Sequence, residues 1–330
     1  MDSFLFALNA ILPIVIMVSV GYVLKRIGFI NEGFAKMANK MVFRVLLPVM
    51  LFLNVYKIED IANMDFGYIL YVLLALLVIF GVSIPLVLTA SKRPGARGAL
   101  LQAVFRSNYA LIGIPLAQSL AGDVGVAVAT LLSAVTIPLL NILAVISLSV
   151  FRESGEKPSI KKILLEFVKN PLIIGVLSGV TALGIRALFA HLAIDFRLSS
   201  VTPVYTVMNQ LSSMATPLAL IVLGAQFEFS AVKALRNEII FGTVMRTAVV
   251  PLIGIGAAFL FFRDRFGAAH FASFIAMFAT PVAVSSVPMA QEMEGDAILA
   301  GQLVVWSTLV SAFSVFAASF LLRSAGVFVG

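Results

Sequence analysis

The sequence predicts an all-α polytopic membrane protein of ten transmembrane helices, arranged as two inverted five-helix repeats with a broken helix in each. Three observations predict it. Of the 330 residues, 61% are hydrophobic and 12% charged, and the mean hydropathy is +1.08, more apolar side chain than a soluble domain of this length uses as core. Apolar runs of roughly 20 residues, enough to cross a ~30 Å hydrocarbon layer, recur from end to end. A motif with polar positions in the fourth run returns in the ninth.

The runs are Phe4 to Leu24, Ala35 to Asn54, Phe66 to Ala90, Ala99 to Leu120, Gly125 to Phe151, Asn170 to Phe189, Val204 to Phe227, Ile239 to Phe262, Ala268 to Gln291 and Ala297 to Leu322. They are continuous rather than alternating, so each reads as a helix that satisfies its own backbone in lipid; barrel strands are about half as long. Asp2 precedes the first run and Lys25 and Arg26 follow it, the reverse of a signal peptide's positive start. Of the 23 basic residues, fourteen fall to the loop side after segments 1, 3, 5, 7 and 9 and six to the opposite side; Arg44, Arg106 and Arg246 lie inside segments. The positive-inside rule then predicts a plasma (inner) membrane protein with both termini outside the cytoplasm.

This bias explains the net charge of +7, and with no basic tail there is no case for a nucleic-acid partner. Zero cysteines exclude disulfides and thiolate metal sites. His191 and His270 fall in or near the external loops, where a solvated surface role is expected. The polar stretch 152–162 reads as a cytoplasmic linker. It divides the chain into a first repeat (1–151) and a second (163–330).

The repeat is visible in Gly113-Ile-Pro115-Leu-Ala-Gln118 through Gly122-Asp123, which matches Ser286-Val287-Pro288-Met-Ala-Gln291 through Gly295-Asp296. Pro, Ala, Gln, Gly and Asp recur at a constant offset of 173. An odd number of crossings per copy makes the second copy enter from the opposite side, so segments 4 and 9 become antiparallel partners. Prolines remove a helix hydrogen bond, and the sequence places unwound crossovers at Gly113-Ile114-Pro115 and in Pro281 to Pro288. Two half-helix N-termini facing one point near the midplane carry unpaired N–H groups and partial positive charge, which suits an anion.

Around that point the sequence offers Asn108, Gln118 and Gln291, whose amides both donate and accept. Each reads equally as a ligand to a carboxylate or ion and as interhelical glue. Ser285, Ser286 and Thr280 are placed to cap freed backbone. Arg44, Arg106 and Arg246 are intramembrane cations, either anion contacts or side chains snorkelling to the interface. The carboxylates fall in loops or at helix ends. Glu292, one turn past Pro288, is the one coupling residue for Na+ or H+, with an interfacial cap as its other reading.

At Asn108 to Gly113-Ile-Pro115-Leu, at Met245-Arg246 with Pro251, and at Val287-Pro288 with Ala290-Gln291-Glu292, the sequence resembles the auxin efflux carrier family, which includes plant PIN proteins and bacterial malonate or malate carriers. The resemblance implies a fold similar to bile-acid sodium symporters, with a scaffold of segments 1, 2, 6 and 7 beside a crossover domain of segments 3–5 and 8–10. It also implies elevator-type movement, a homodimer, and contact between Asn108 and a substrate carboxylate. A second family asparagine falls on Leu172, beside Asn170. The expectation is a secondary carrier of a small organic anion such as malonate, malate or an auxin-like acid, with no cofactor. The competing expectations are a sodium- or proton-coupled symporter of bile-acid type and a membrane sensor that binds organic acids without moving them. No acidic pair, cysteine or placed histidine supports an enzyme, and no phosphate-binding Gly-Lys-Ser/Thr motif supports ATP drive.

Overall fold

The structure is a computed structural model that describes residues 2–57, 65–152, 160–194 and 196–328. It is built from helices: α1 (Asp2–Arg26), α2 (Glu32–Met41), α3 (Leu47–Tyr56), α4 (Phe66–Ala90), α5 (Pro94–Phe105), α6 (Ile114–Val150), α7 (Ile160–Lys169), α8 (Pro171–His191), α9 (Thr202–Ala225), α10 (Ala231–Ala234), α11 (Arg236–Val244), α12 (Val250–Phe262), α13 (Ala268–Phe278), α14 (Ser286–Glu292) and α15 (Ala297–Ser324). Side chains at their starts take up orphan backbone donors. Asn31 accepts from the Phe34 amide, Asp65 from Gly67 and Tyr68, Asn170 from Leu172, and Asp296 from Leu299.

Three π turns, Val42–Leu46, Tyr109–Gly113 and Met245–Val249, each end two residues before a proline: Pro48, Pro115 and Pro251. Proline cannot bond the carbonyl four residues back and its ring crowds that carbonyl; widening the preceding turn relieves the crowding. At Pro251 the carbonyl concerned is that of Thr247, which accepts from the Ser314 hydroxyl instead. α6 is divided by Ala121 and by Gly122, whose φ of +60° is a left-handed conformation that glycine adopts without penalty. This is the Gly-Asp turn separating segments 4 and 5.

Among the described residues, seven helical stretches are long and apolar enough to cross a membrane. The longest, Tyr109–Val150, contains the Gly122 turn and so joins parts of two predicted segments. Segments 4 and 9 form no uninterrupted helix, because each breaks. α7 begins at Ile160, within the last residues of the stretch 152–162. This ten-residue helix is too short to register as a span. Residues 153–159 of the linker lie outside the described residues.

α1 packs on α9, and α3 on α8 and α9, while α13 packs on α6, and α5 on α4, α6 and α15. The first group is set by small residues. A Cβ on Gly224 would collide with the α1 backbone at Val18, and one on Gly175 with Pro48 of α3. Backbones approach this closely only where side chains are absent.

Candidate functional site

α5 ends at Phe105, Arg106 is extended, and the stretch Arg106 to Asn108 is non-helical before the π turn at Tyr109. α13 ends at Phe278, and the chain is irregular until α14 restarts at Ser286. The two interruptions lie against each other. Ser107 and Val282 form an antiparallel bridge, the Asn108 amide donates to the Pro281 carbonyl at 2.8 Å, and the Ala283 amide donates to the Arg106 carbonyl at 3.2 Å. The Val282 amide donates to the Ser307 hydroxyl of α15. Backbone freed by unwinding is thereby satisfied inside the protein, as it must be at membrane depth.

The helix ends meeting here divide by sign. The C-terminal ends of α5 and α13 carry orphan carbonyls and partial negative charge, and Arg246 covers them. Its guanidinium donates to the carbonyls of Thr280 at 2.7 Å, Met277 at 2.8 Å and Val104 at 3.2 Å. The residue is fully buried. The N-terminal ends, at Asn108–Leu111 and Ala283–Ser285, instead line a cavity of about 80 Å³.

Arg106, 3% exposed, lines that cavity. It donates to Asn141 Oδ1 at 2.7 Å, Ser285 Oγ at 2.9 Å and Gln102 Oε1 at 3.0 Å. Every one of these acceptors is neutral, and among the described residues no carboxylate pairs with Arg106 or Arg246. Asn108 is buried, and its Nδ2 has no hydrogen-bond partner among the described residues. Asn54 of α3, Asn141 of α6 and Thr216 of α9 complete the polar lining. The arrangement offers a guanidinium fork, a spare amide donor and two helix N-termini in one small enclosure. It can hold a negatively charged group of a few atoms.

Residues 6–318 match the sequence profile of the membrane transport protein family. The chain belongs to this family. A protein of Methanothermobacter thermautotrophicus (strain Delta H) described as an uncharacterized transporter is 23% identical over 322 residues, covering 94% of this chain and 97% of that one. The resemblance to auxin efflux carriers is borne out at the level of the family, and the chain is a multi-pass membrane transport protein.

Several predicted site residues sit elsewhere in this transporter. The breaks are expected at Gly113-Ile114-Pro115 and within Pro281 to Pro288; the first falls upstream, at Arg106–Asn108, and the second, between Phe278 and Ser286, overlaps the expected stretch. Pro288 lies in the first turn of α14, where a proline's missing N–H leaves no bond unmade. Pro115 follows the π turn Tyr109–Gly113, which accommodates it without a break. Gly113 is buried against the Ala276 carbonyl of α13, half-buried Ile114 follows it, and none of Gly113, Ile114 or Pro115 lines the cavity.

The two glutamines, expected at symmetric places beside the crossing, have different surroundings. Gln118 is exposed. Gln291 accepts from Asn39 of α2, which also donates to Gln226 at 2.9 Å. With Val287, Gln291 lines a separate cavity of about 760 Å³. Arg44 and Glu292 pair with each other at 3.5 Å, joining the first π turn to α14. Arg106 and Arg246 do not snorkel, because the broken helices supply acceptors at depth. Sequence reasoning missed Asn54, Asn141 and Thr216, whose one signal is a polar side chain inside an apolar run.

Proposed function

We propose that this transporter carries a small organic anion, a mono- or dicarboxylate of the size of malonate or malate, by secondary alternating access. The observation that carries the reading is the buried Arg106 guanidinium, unpaired by any described carboxylate, beside the unpartnered Asn108 amide and two half-helix N-termini.

The architecture proposed is ten spans in two inverted repeats. Pro281 stands 173 residues after Asn108, the same offset that relates the two Pro-x-Ala-Gln motifs, and these two residues oppose each other in the crossing. A two-fold axis between them accounts for both facts. The packing of α1 on α9 and of α8 on α3 also exchanges under that symmetry. The scaffold then comprises α1–α3, α8 and α9, and an elevator-type movement of the remaining helices past it exposes the cavity to each side in turn. A homodimer in the plasma membrane, with outside termini and a coupling Na+ or H+, completes the proposal.

The test is carboxylate binding by the purified protein, followed by thermal shift, with uptake into proteoliposomes measured in parallel. Asn108→Ala is expected to abolish the shift while leaving the unliganded melting profile intact. Unchanged affinity in Asn108→Ala refutes the site. Binding without flux refutes the carrier in favour of a sensor.

A further inference from the structure

A second cleft, away from the crossing, has the form of a phospholipid site. It is a groove of about 300 Å³ between α1 and α15, floored by Ile14 and Val304 and walled by Val18 and Trp306. Its rim residues Val23 and Leu309 are apolar and exposed, at 53% and 42%. An exposed apolar rim on a membrane helix faces acyl chains, so this groove opens to the lipid phase. At one end it shares Tyr22, Phe227 and Phe229 with the 760 Å³ cavity, whose wall there carries Lys25, Arg26 and Lys36.

The charges at this mouth favour one kind of headgroup. Arg26 uses its Nε to donate to the Tyr22 hydroxyl at 2.9 Å, with the guanidinium 5.1 Å from that ring. This bond orients the fork, and its two terminal nitrogens make no other bond among the described residues. Lys36 likewise has no carboxylate partner among them. Of the two carboxylates nearby, Glu32 pairs with Lys25 at 3.9 Å and Glu228 is exposed. A planar fork beside an aromatic ring, at the end of an apolar groove, matches a phosphodiester joined to an acyl chain. A Tyr at such a junction is typical of the headgroup level.

We propose that this groove binds one anionic glycerophospholipid, its acyl chain between α1 and α15 and its phosphate on Arg26 and Lys36. This site is independent of the transport reading. The Lys- and Arg-rich loop following α1 also faces, by the positive-inside rule, the leaflet where anionic lipids reside.

The experiment is thermal shift and native mass spectrometry of the full chain in detergent, titrated with phosphatidylglycerol, with phosphatidylcholine of the same chains, and with glycerol 3-phosphate. Phosphatidylglycerol is expected to bind saturably and more tightly than phosphatidylcholine. Arg26→Gln is expected to weaken it about fivefold, the effect of one basic residue at an anionic surface, and Arg26→Lys, which keeps the charge but loses the fork, to weaken it less than Arg26→Gln. Ser19→Phe, which fills the groove from its exposed rim, is expected to weaken both lipids together. Equal affinity for the two lipids overturns the proposal, as does full binding in both Arg26→Gln and Ser19→Phe. A shift reproduced by glycerol 3-phosphate also overturns it, in favour of a soluble-anion site in the larger cavity.

Discussion

Replacing Arg246 with methionine separates a structural cation from a ligand-binding one. The guanidinium makes three bonds, to the Thr280, Met277 and Val104 carbonyls at 2.7, 2.8 and 3.2 Å, in a residue with no exposed surface. Methionine fills similar volume but leaves three buried carbonyls without donors, at about 1–3 kcal/mol each. Offsetting this, the variant no longer buries a charge, whose effective penalty is several kcal/mol. Neutral interhelical bonds in membranes average about 0.6 kcal/mol, so three set a floor near 2 kcal/mol. The expected net loss is about 3 kcal/mol. Lysine brings three donors from a single point, while the carbonyls belong to two different helix ends, so Arg246→Lys is expected to recover about half of that. The assay is reversible denaturant unfolding of the detergent-purified protein. If Arg246→Met unfolds within about 1 kcal/mol of the parent yet loses anion binding, Arg246 is a ligand contact and the reasoning from its geometry is wrong.

Two further perturbations probe ion pairs that hold separate elements together. Partial burial pushes the Asp65 carboxyl up, but the Tyr68 and Gly67 amides, His270 and Arg265 together outweigh it and hold its pKa below the usual 3.8. Its contribution is therefore complete above pH 3.8 and is lost as pH falls through the lower folded value. Asp65→Asn is expected to flatten that acid limb of the stability curve, and Asp65→Ala to cost about 1 kcal/mol as a lost cap at neutral pH; acid titration of the melting temperature reads both. At Arg44 and Glu292, 3.5 Å apart with Arg44 59% exposed, a double-mutant cycle should return less than about 1 kcal/mol of coupling. Glu292→Gln should thus leave stability nearly unchanged, so a loss of gradient-dependent uptake in that variant would report coupling and not misfolding.

The helical segments were legible in the sequence because lipid imposes one requirement everywhere: apolar runs long enough to satisfy their own backbone. The existence of two special regions was legible too, through Pro115 and Pro288. The register of the first was not. A widened π turn absorbs Pro115 without a break, so the first interruption lies upstream at Arg106–Asn108, while the second, Ala279–Ser285, overlaps the stretch expected from Pro281 to Pro288. The matched glutamines misled for a different reason. Sequence equivalence fixes position within each repeat but not the neighbours, and Gln291 meets Asn39 and Gln226 while Gln118 meets no described polar partner. Asn54 and Asn141 were hidden because one polar residue in an apolar run has the same pattern whether it faces a cavity or another helix.

The placement of Arg106 yields the last test. A cation is stabilising at a helix C-terminus and destabilising at an N-terminus. Arg246 obeys this rule. Arg106 follows the last turn of α5, but its side chain reaches Ser285 and Ser286 at the start of α14, at 2.9 and 3.5 Å. It therefore sits buried, without a described carboxylate, beside positive helix ends, and neutral oxygens and the Met289 sulfur compensate it. An anion in the cavity would relieve that placement directly. Arg106→Gln keeps a donor there and removes the charge, so the unliganded variant is expected to unfold no earlier than the parent. The stabilisation given by a carboxylate, about 2.7 kcal/mol at a hundredfold excess over its dissociation constant, should be lost. These opposite signs distinguish a binding charge from a structural one. A variant that is destabilised without ligand and still responds fully to carboxylate would mean that Arg106, like Arg246, serves the fold.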